Sequence, residues 1–433
     1  MLVEKLYNSF LGSSGVTTDS RVAAPGMIFF ALRGDNFDAH IFVEQALNAG
    51  CSLAVIDNRE FSIPGKTYLV KDVLAALQEL ASYHRQHFNI PVIAITGSNG
   101  KTTTKEIIRE VLAVKYNTLS TSGNLNNHIG VPLTLLELNS SHQIAVIEMG
   151  ANHIGEIEVL CNIARPTHGL ITNIGSAHLE GFGSLEGVKK AKSELFVYLK
   201  RTGGTAFVNA DRPILKALSE QLDLNGILYG RGEKMFVTGK ILDSIHGVKL
   251  KVIIKEAESA LIIQTKLTGS YNFENIMAAV STGMFFGVPP EMLKAAIENY
   301  TPSNNRSQLM DTLYNRLLLD AYNANPDSMR ASLINFNSMP GKDKSVILGD
   351  MLELGDYADQ EHEKIIMLLG DQQYNEVFLV GELFCNITGP ADYLRFENVE
   401  KLIAWLKDNP LRHRFILLKG SRGLKLEKCV TVL

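Results

Sequence analysis

The sequence predicts an α/β protein of three domains, and three observations carry that expectation. The chain has 433 residues, and about 150 residues per domain divides it into about three. Short apolar runs alternate with segments of helical periodicity along its whole length. The stretch IPVIAITGSNGKTTTKEIIREVL, Ile90 to Leu112, sets a glycine-rich turn between one such run and an amphipathic helix.

Taken in order, Met27 to Leu32 and Leu53 to Ile56 read as strands around a helical segment at Ile41 to Leu47. A helix-like stretch, Val73 to His87, closes this small α/β domain, placed at 1–87. The central domain, 88–302, opens on the strand Val92 to Ile95 and continues through Ile144 to Ile147, Gly169 to Ile174 and the helix Asn275 to Phe286. Strand-then-helix repetition predicts a parallel sheet with covering helices. Turn residues at Pro302-Ser303-Asn304-Asn305 end it. A third α/β domain, 303–433, follows, with strands at Arg316 to Leu319, Ser345 to Leu348, Val377 to Val380 and Phe415 to Leu418.

Composition narrows the function. A formal net charge of -4, with both signs interspersed, gives no footprint for nucleic acid or an anionic membrane. Cys51, Cys161, Cys385 and Cys429 lie far apart, so neither a zinc site nor a disulfide framework is indicated and a reducing cytoplasm fits. The first residues lack a signal-peptide pattern, and no run approaches the roughly 18 to 20 apolar residues of a membrane span.

Ile107, Ile108, Val111 and Leu112 share a helical face, so the turn before them opens a helix. Free N–H groups and the positive end of the helix dipole there receive a phosphate chain. Gly97 and Gly100 let the backbone come close, Lys101 reaches the β- and γ-phosphates, and the Thr102 hydroxyl can ligate Mg²⁺. Gly97, Ser98, Asn99, Gly100, Lys101, Thr102 and Thr103 therefore form a P-loop in a shortened version, Gly-x-x-Gly-Lys-Thr. A turn with a helix cap is the bland alternative.

Ligands of an open parallel sheet bind beyond the carboxyl ends of its strands. Glu148 ends one strand and can hold the nucleotide's Mg²⁺, or cap the next helix. His178 sits in a glycine-rich loop. Lys192 interrupts the apolar stripe Val188, Leu195, Phe196 and Leu199, which fits either a snorkelling stem or a buried, reactive amine. Asn124, Asn126, Asn127 and His128 crowd another loop. Asn272 and Asn275 begin a helix, as caps or as base contacts. In the third domain Asp320, Asn325-Pro326, Asp350, Lys419 and Arg422 stand at strand ends, which suggests a second cleft.

The segments TGSNGKTTTKE, VIEMGANHIGEI, ITNIGSAHLEGFGSLEGVKKAKSEL, GSYNFENIMAAV, DAYNANPDS and GDMLELG, in this order, resemble the Mur ligases of peptidoglycan synthesis. The last two look like the branch that adds D-alanyl-D-alanine to UDP-N-acetylmuramoyl-tripeptide (UDP-MurNAc-tripeptide, adding D-Ala-D-Ala). The resemblance implies an N-terminal UDP-substrate domain, a central ATPase domain and a Rossmann-like C-terminal domain that closes over ATP and admits the dipeptide. It implies that ATP phosphorylates the tripeptide carboxylate and that the dipeptide amine displaces phosphate from the acyl phosphate.

Residue by residue, it assigns Ser20, Arg21 and Arg33 to uridine, Thr102 and Glu148 to a first Mg²⁺, and His178 and Lys192 to a second, the lysine carbamoylated by CO₂. Asn275 matches an adenine contact, Arg306 a phosphate contact and Asp320 a ribose contact. Asn124 and Asn127 match the segment beside the acceptor peptide; Tyr322, Asn323, Asn325 and Asp350 fall in segments of the C-terminal domain expected to bind substrate. Ala39 stands where relatives often have glycine. A monomer is expected. A folylpolyglutamate-type ligase shares the loop but not the DSR…PGMIFFALRG unit, and a P-loop switch ATPase would need no acceptor.

Overall fold

The computed structural model describes every residue of the chain except 1, 35, 234, 246, 256–258 and 303–304. The first residue of the expected third domain, 303, therefore lies outside the described residues.

The N-terminal sheet has four parallel strands, in the spatial order Val16–Thr17, Ile28–Phe30, Leu53–Ile56 and Thr67–Leu69. Ala39 opens a short 3₁₀ helix with its side chain buried and without a positive φ, so no glycine geometry is needed there. The helix Val73–Arg85 starts on an Asp72 cap and packs against Gly130–Leu135 and Glu156–Ala164. His84 also bonds the carbonyl of Leu138.

Nine strands form the central sheet. Val92–Thr96 lies between His168–Ile171 and Ile144–Glu148, all parallel. Its five residues are buried on both faces, as the unbroken apolar run requires. Val92 and Ala94 face the helices Glu156–Ala164 and Leu185–Thr202, while Ile93 and Ile95 join the core under Lys101–Ala113 and Asn272–Phe285. The expected parallel sheet carries an antiparallel extension at one end. Lys249–Ile254 pairs antiparallel with both Val237–Asp243 and Ser259–Gln264, and its alternation of buried and exposed residues gives one core face and one wet face.

The C-terminal sheet has six strands. Arg316–Asp320, Phe415–Lys419, Lys344–Gly349, Glu376–Val380 and Leu394–Phe396 are parallel, and Gln308–Asp311 adds an antiparallel edge. Asp320 and Lys419 end adjacent strands in register, so both side chains emerge at the sheet edge that faces the glycine-rich loop.

Candidate active site

A cavity of about 1190 Å³ lies between the carboxyl ends of the central strands and the strand ends of the C-terminal domain. Its floor is the turn after Val92–Thr96. Gly97 has φ +141, and a Cβ there would stand 2.0 Å from Thr172 Oγ1; at Gly100, φ +80, it would stand 2.6 Å from Asn275 Oδ1. Only glycine fits either place. The N–H groups of Ser98 and Asn99 bond the carbonyl and side chain of Asn173. Those of the first helical turn, Lys101 to Thr103, have no intrahelical partner and form the anion-binding end. Lys101 Nζ folds onto the carbonyls of Gly97 and Ser98 at 2.7 and 3.2 Å, and burial lowers its pKa.

Glu148 is buried at the cavity wall. Its Oε1 accepts from Thr102 Oγ1 at 3.2 Å and from Asn126 Nδ2 at 2.7 Å, whereas Oε2 has no hydrogen-bond partner. A helix-capping role is absent, since the following helix starts at Glu156 and its N-terminal N–H groups at Gly155 and Glu158 bond Glu194 instead. A buried, half-satisfied carboxylate beside a hydroxyl and the N-terminus of a helix suits a hard cation. Among the described residues no three His, Cys, Asp or Glu side chains converge, so phosphate or water oxygens must complete a Mg²⁺ shell here. Glu148→Gln is expected to raise the Mg²⁺ concentration for half-maximal turnover about tenfold; a Mg²⁺ titration that superimposes on wild type would count against this role.

Lys192 is 1% exposed, which removes the snorkelling alternative. Nζ donates to the Ala151 carbonyl at 3.1 Å and lies 5.0 Å from the centre of the Phe182 ring. Burial, with the Lys101 charge as a second cause, pulls its pKa down to about 7. It stands just behind the cavity wall, to which Ala151 belongs. His178 does line the cavity, with φ 54, and Glu353 Oε2 of the C-terminal domain stands 2.5 Å from its Nδ1. Contact with His178 holds the Glu353 carboxyl below the usual carboxylate range.

The roof comes from the C-terminal domain. Asp320 Oδ2 accepts from buried Lys419 at 2.7 Å, and Oδ1 accepts from the Ser307 N–H at 3.1 Å. Arg306 stacks on Tyr322 with its Cζ 3.7 Å from the ring centre, and its buried Nε has no partner. Asn323 lines the same wall. Asn275 faces the cavity, but its Oδ1 accepts from Thr104 Oγ1 and its Nδ2 donates to Asn272. That leaves one N–H and one lone pair for a base.

Other nominated residues lie elsewhere. Asp350 is turned from the cavity: its two oxygens accept the N–H groups of Leu383 and Phe384, so it fastens the start of the helix Glu382–Asn386. Asn124 is exposed outside the cavity, and Asn127, on its rim, caps the turn to Gly130. Asn126 is the member of that run that reaches Glu148. Ser20 and Arg21 share a 3₁₀ turn of the N-terminal domain, with Arg21 doubly bonded to Asp19; Arg33 pairs with Asp38 at 3.2 Å. None of the three lines the cavity. Sequence reasoning misses Asp327 and Asn173, and gives Asn126 no role beyond its loop, since their orientation depends on partners distant in the chain.

Residues 95–283 match the Mur ligase middle domain, and residues 305–422 match the Mur ligase glutamate ligase domain. The UDP-N-acetylmuramoyl-tripeptide--D-alanyl-D-alanine ligase of Bacillus subtilis is 37% identical over 96% of this chain and 92% of its own length. A crystal structure of MurF from Acinetobacter baumannii superposes with a TM-score of 0.86 at 31% identity, covering 99% of this chain and 97% of that one. MurF ligase from Thermotoga maritima in complex with ADP gives 0.84 at 25% identity, covering 98% and 97%. With a glycine-rich loop, a buried carboxylate and a C-terminal roof over one cavity, with both domain matches in order along it and a relative 37% identical over nearly its whole length, this chain belongs to the Mur ligase family.

Proposed function

We propose that the protein is the ATP-dependent ligase that joins D-Ala-D-Ala to UDP-MurNAc-tripeptide, forming UDP-MurNAc-pentapeptide, ADP and phosphate. The observation that carries this reading is the shared cavity: phosphate-binding N–H groups, the unpartnered oxygen of Glu148 and the C-terminal roof face one space. Near-complete coverage of relatives bearing that activity in their names supports the acceptor and donor.

A carboxylate resists amines because oxide is too poor a leaving group. Phosphorylation by ATP's γ-phosphoryl group gives an acyl phosphate, whose carbonyl the dipeptide amine attacks; C–N bond formation and loss of phosphate follow. In this chain the Lys101–Thr103 N–H groups bind the phosphates, and Lys101 neutralises charge as carboxylate and triphosphate approach. Thr102 and Glu148 would hold a Mg²⁺, which supplies further charge neutralisation when bound. Arg306 contacts phosphate through its unpartnered Nε. Asp320 and Asn275 receive ribose and adenine, and the Asn126–Asn127 rim with Tyr322 and Asn323 receives the peptide parts. Ser20, Arg21 and Arg33 hold uridine.

The units 1–87, 88–302 and 303–433 are the three domains in this reading, and the enzyme works as a cytoplasmic monomer. Among the described residues no helix is long and apolar enough to cross a membrane. A pKa near 7 leaves much of Lys192 neutral at physiological pH, and a neutral amine adds to CO₂ with release of one proton. The resulting carbamate replaces a cation with an oxygen anion that, with His178, would hold a second Mg²⁺.

Incubation with Mg²⁺, ATP, UDP-MurNAc-tripeptide and D-Ala-D-Ala should yield the pentapeptide by mass, one ADP for each. ATP consumption that ignores both co-substrates would replace the ligase with a switch ATPase.

A further inference from the structure

Asn99, in the middle of the glycine-rich loop, has its backbone fixed from below. Its N–H donates to Asn173 Oδ1 at 3.0 Å, and its carbonyl accepts from Thr172 Oγ1 at 2.6 Å and from Asn173 Nδ2 at 3.0 Å. Its side chain reaches the other way, into the C-terminal domain. There the amides of Asn99 and Asn325 pair reciprocally: Asn325 Nδ2 donates to Asn99 Oδ1 at 2.8 Å, and Asn99 Nδ2 to Asn325 Oδ1 at 3.4 Å. Asn325 is itself held, because its Oδ1 accepts the Ser328 N–H and caps the helix Pro326–Ser338.

A second bridge runs beside the first. Asp327, in the first turn of that helix, accepts the Ser176 N–H at 2.8 Å. The neighbouring Gly175 exchanges hydrogen bonds with Ser98: Ser98 Oγ donates to its carbonyl at 2.9 Å and accepts its N–H at 3.0 Å. Two consecutive loop residues, Ser98 and Asn99, are thus tied to two residues at one helix start more than 220 positions away. Gly175 is a condition of the fit, since a Cβ on it would stand 2.4 Å from Asp327 Oδ2.

We infer that Asn325 and Asp327 are positioning residues, an interdomain clasp that holds Asn99 and Ser98 in the phosphate-accepting shape. Nucleotide affinity and docking of the C-terminal domain are then coupled, and each strengthens the other by the same factor. The inference rests on the nucleotide site proposed above. It also moves Asn325 from the dipeptide to the nucleotide loop, because its amide is engaged with the cap and with Asn99.

Asn325→Ser separates the clasp from the cap. Serine is as good an N-cap as asparagine but too short to reach Asn99, so the melting temperature should not move. Calorimetric titration with Mg²⁺ and ADP should show about fivefold weaker binding, the size of a lost neutral hydrogen-bonded pair. Asn99→Ala should weaken it similarly, and the double variant no further, because either change breaks the same pair. Gly175→Ala, at a glycine without positive φ, should weaken ADP binding through the second bridge. Small-angle scattering with ADP should find Asn325→Ser more extended than wild type.

Wild-type ADP affinity in Asn325→Ser, effects that multiply in the double variant, or a raised KM for D-Ala-D-Ala with ADP binding unchanged would each overturn the clasp alone. Wild-type protein that binds no ADP would overturn the nucleotide site and the clasp together.

Discussion

Replacing Lys101 with alanine is expected to lower pentapeptide formation on the order of 10³-fold while leaving the melting temperature close to wild type. The two effects separate because this side chain contributes little to holding the fold. Its ammonium donates only to the loop carbonyls of Gly97 and Ser98 and is desolvated by burial, a cost that the Glu148 carboxylate offsets in part and the Arg306 charge adds to. A cation kept in an unfavourable place is set up for an anion. When a triphosphate arrives, the same ammonium gains a charge-assisted bond as charge moves between the β- and γ-phosphates. Turnover by mass and thermal melting, run on one preparation, check the prediction. A folded alanine variant with near-normal turnover would overturn the nucleotide assignment, and a variant that melts early would show a structural lysine.

The loop, the buried carboxylate and the odd lysine were legible in the sequence because each breaks a local period. Gly97 and Gly100 interrupt a strand-to-helix junction, Glu148 ends an unbroken apolar strand, and Lys192 sits inside an apolar helical stripe. Burial of Val92–Thr96 on both faces follows from local pattern alone, whereas the stripe around Lys192 fits a snorkelling stem as well as a buried amine, and only the packing of the Leu185–Thr202 helix buries it. The antiparallel extension through Lys249–Ile254 was also written in the sequence, as alternation of period two, yet it lies far from the strand-then-helix rhythm that set the expectation of a parallel sheet.

What local pattern could not supply was direction. Asn124, Asn126 and Asn127 are chemically equivalent in a run, and only packing of Gly150 against Asn126 shows which one meets Glu148. Asp350 looked like a strand-end ligand, and its partners Leu383 and Phe384 belong to a helix more than thirty residues further on. Asp320 is already paired with Lys419 across two strands. Such pairings appear only when distant segments are brought together.

Lys192→Ala should lose turnover on the order of 10²-fold or more if the amine carries a carbamate that ligates metal. Small carboxylates that enter the vacated space should restore part of it, with chloride at matched ionic strength as control. A stability measurement gives an independent reading. The folded amine releases its proton near pH 7 and the unfolded one near 10.5, so between those values the unfolded chain binds more protons and stability rises with pH. The stabilisation of a neutral, buried lysine is fully present above 10.5 and is lost as pH falls toward 7. Lys192→Met fills similar volume without a charge, so it should be inactive and melt higher than CO₂-free wild type, by a larger margin at pH 7 than at pH 9. Bicarbonate should raise wild-type turnover and leave both variants unchanged. Wild-type-like turnover in the alanine variant would refute a role for Lys192 in catalysis. A folded, inactive variant that no carboxylate rescues, beside a wild type indifferent to bicarbonate, would leave the buried amine itself as the working group.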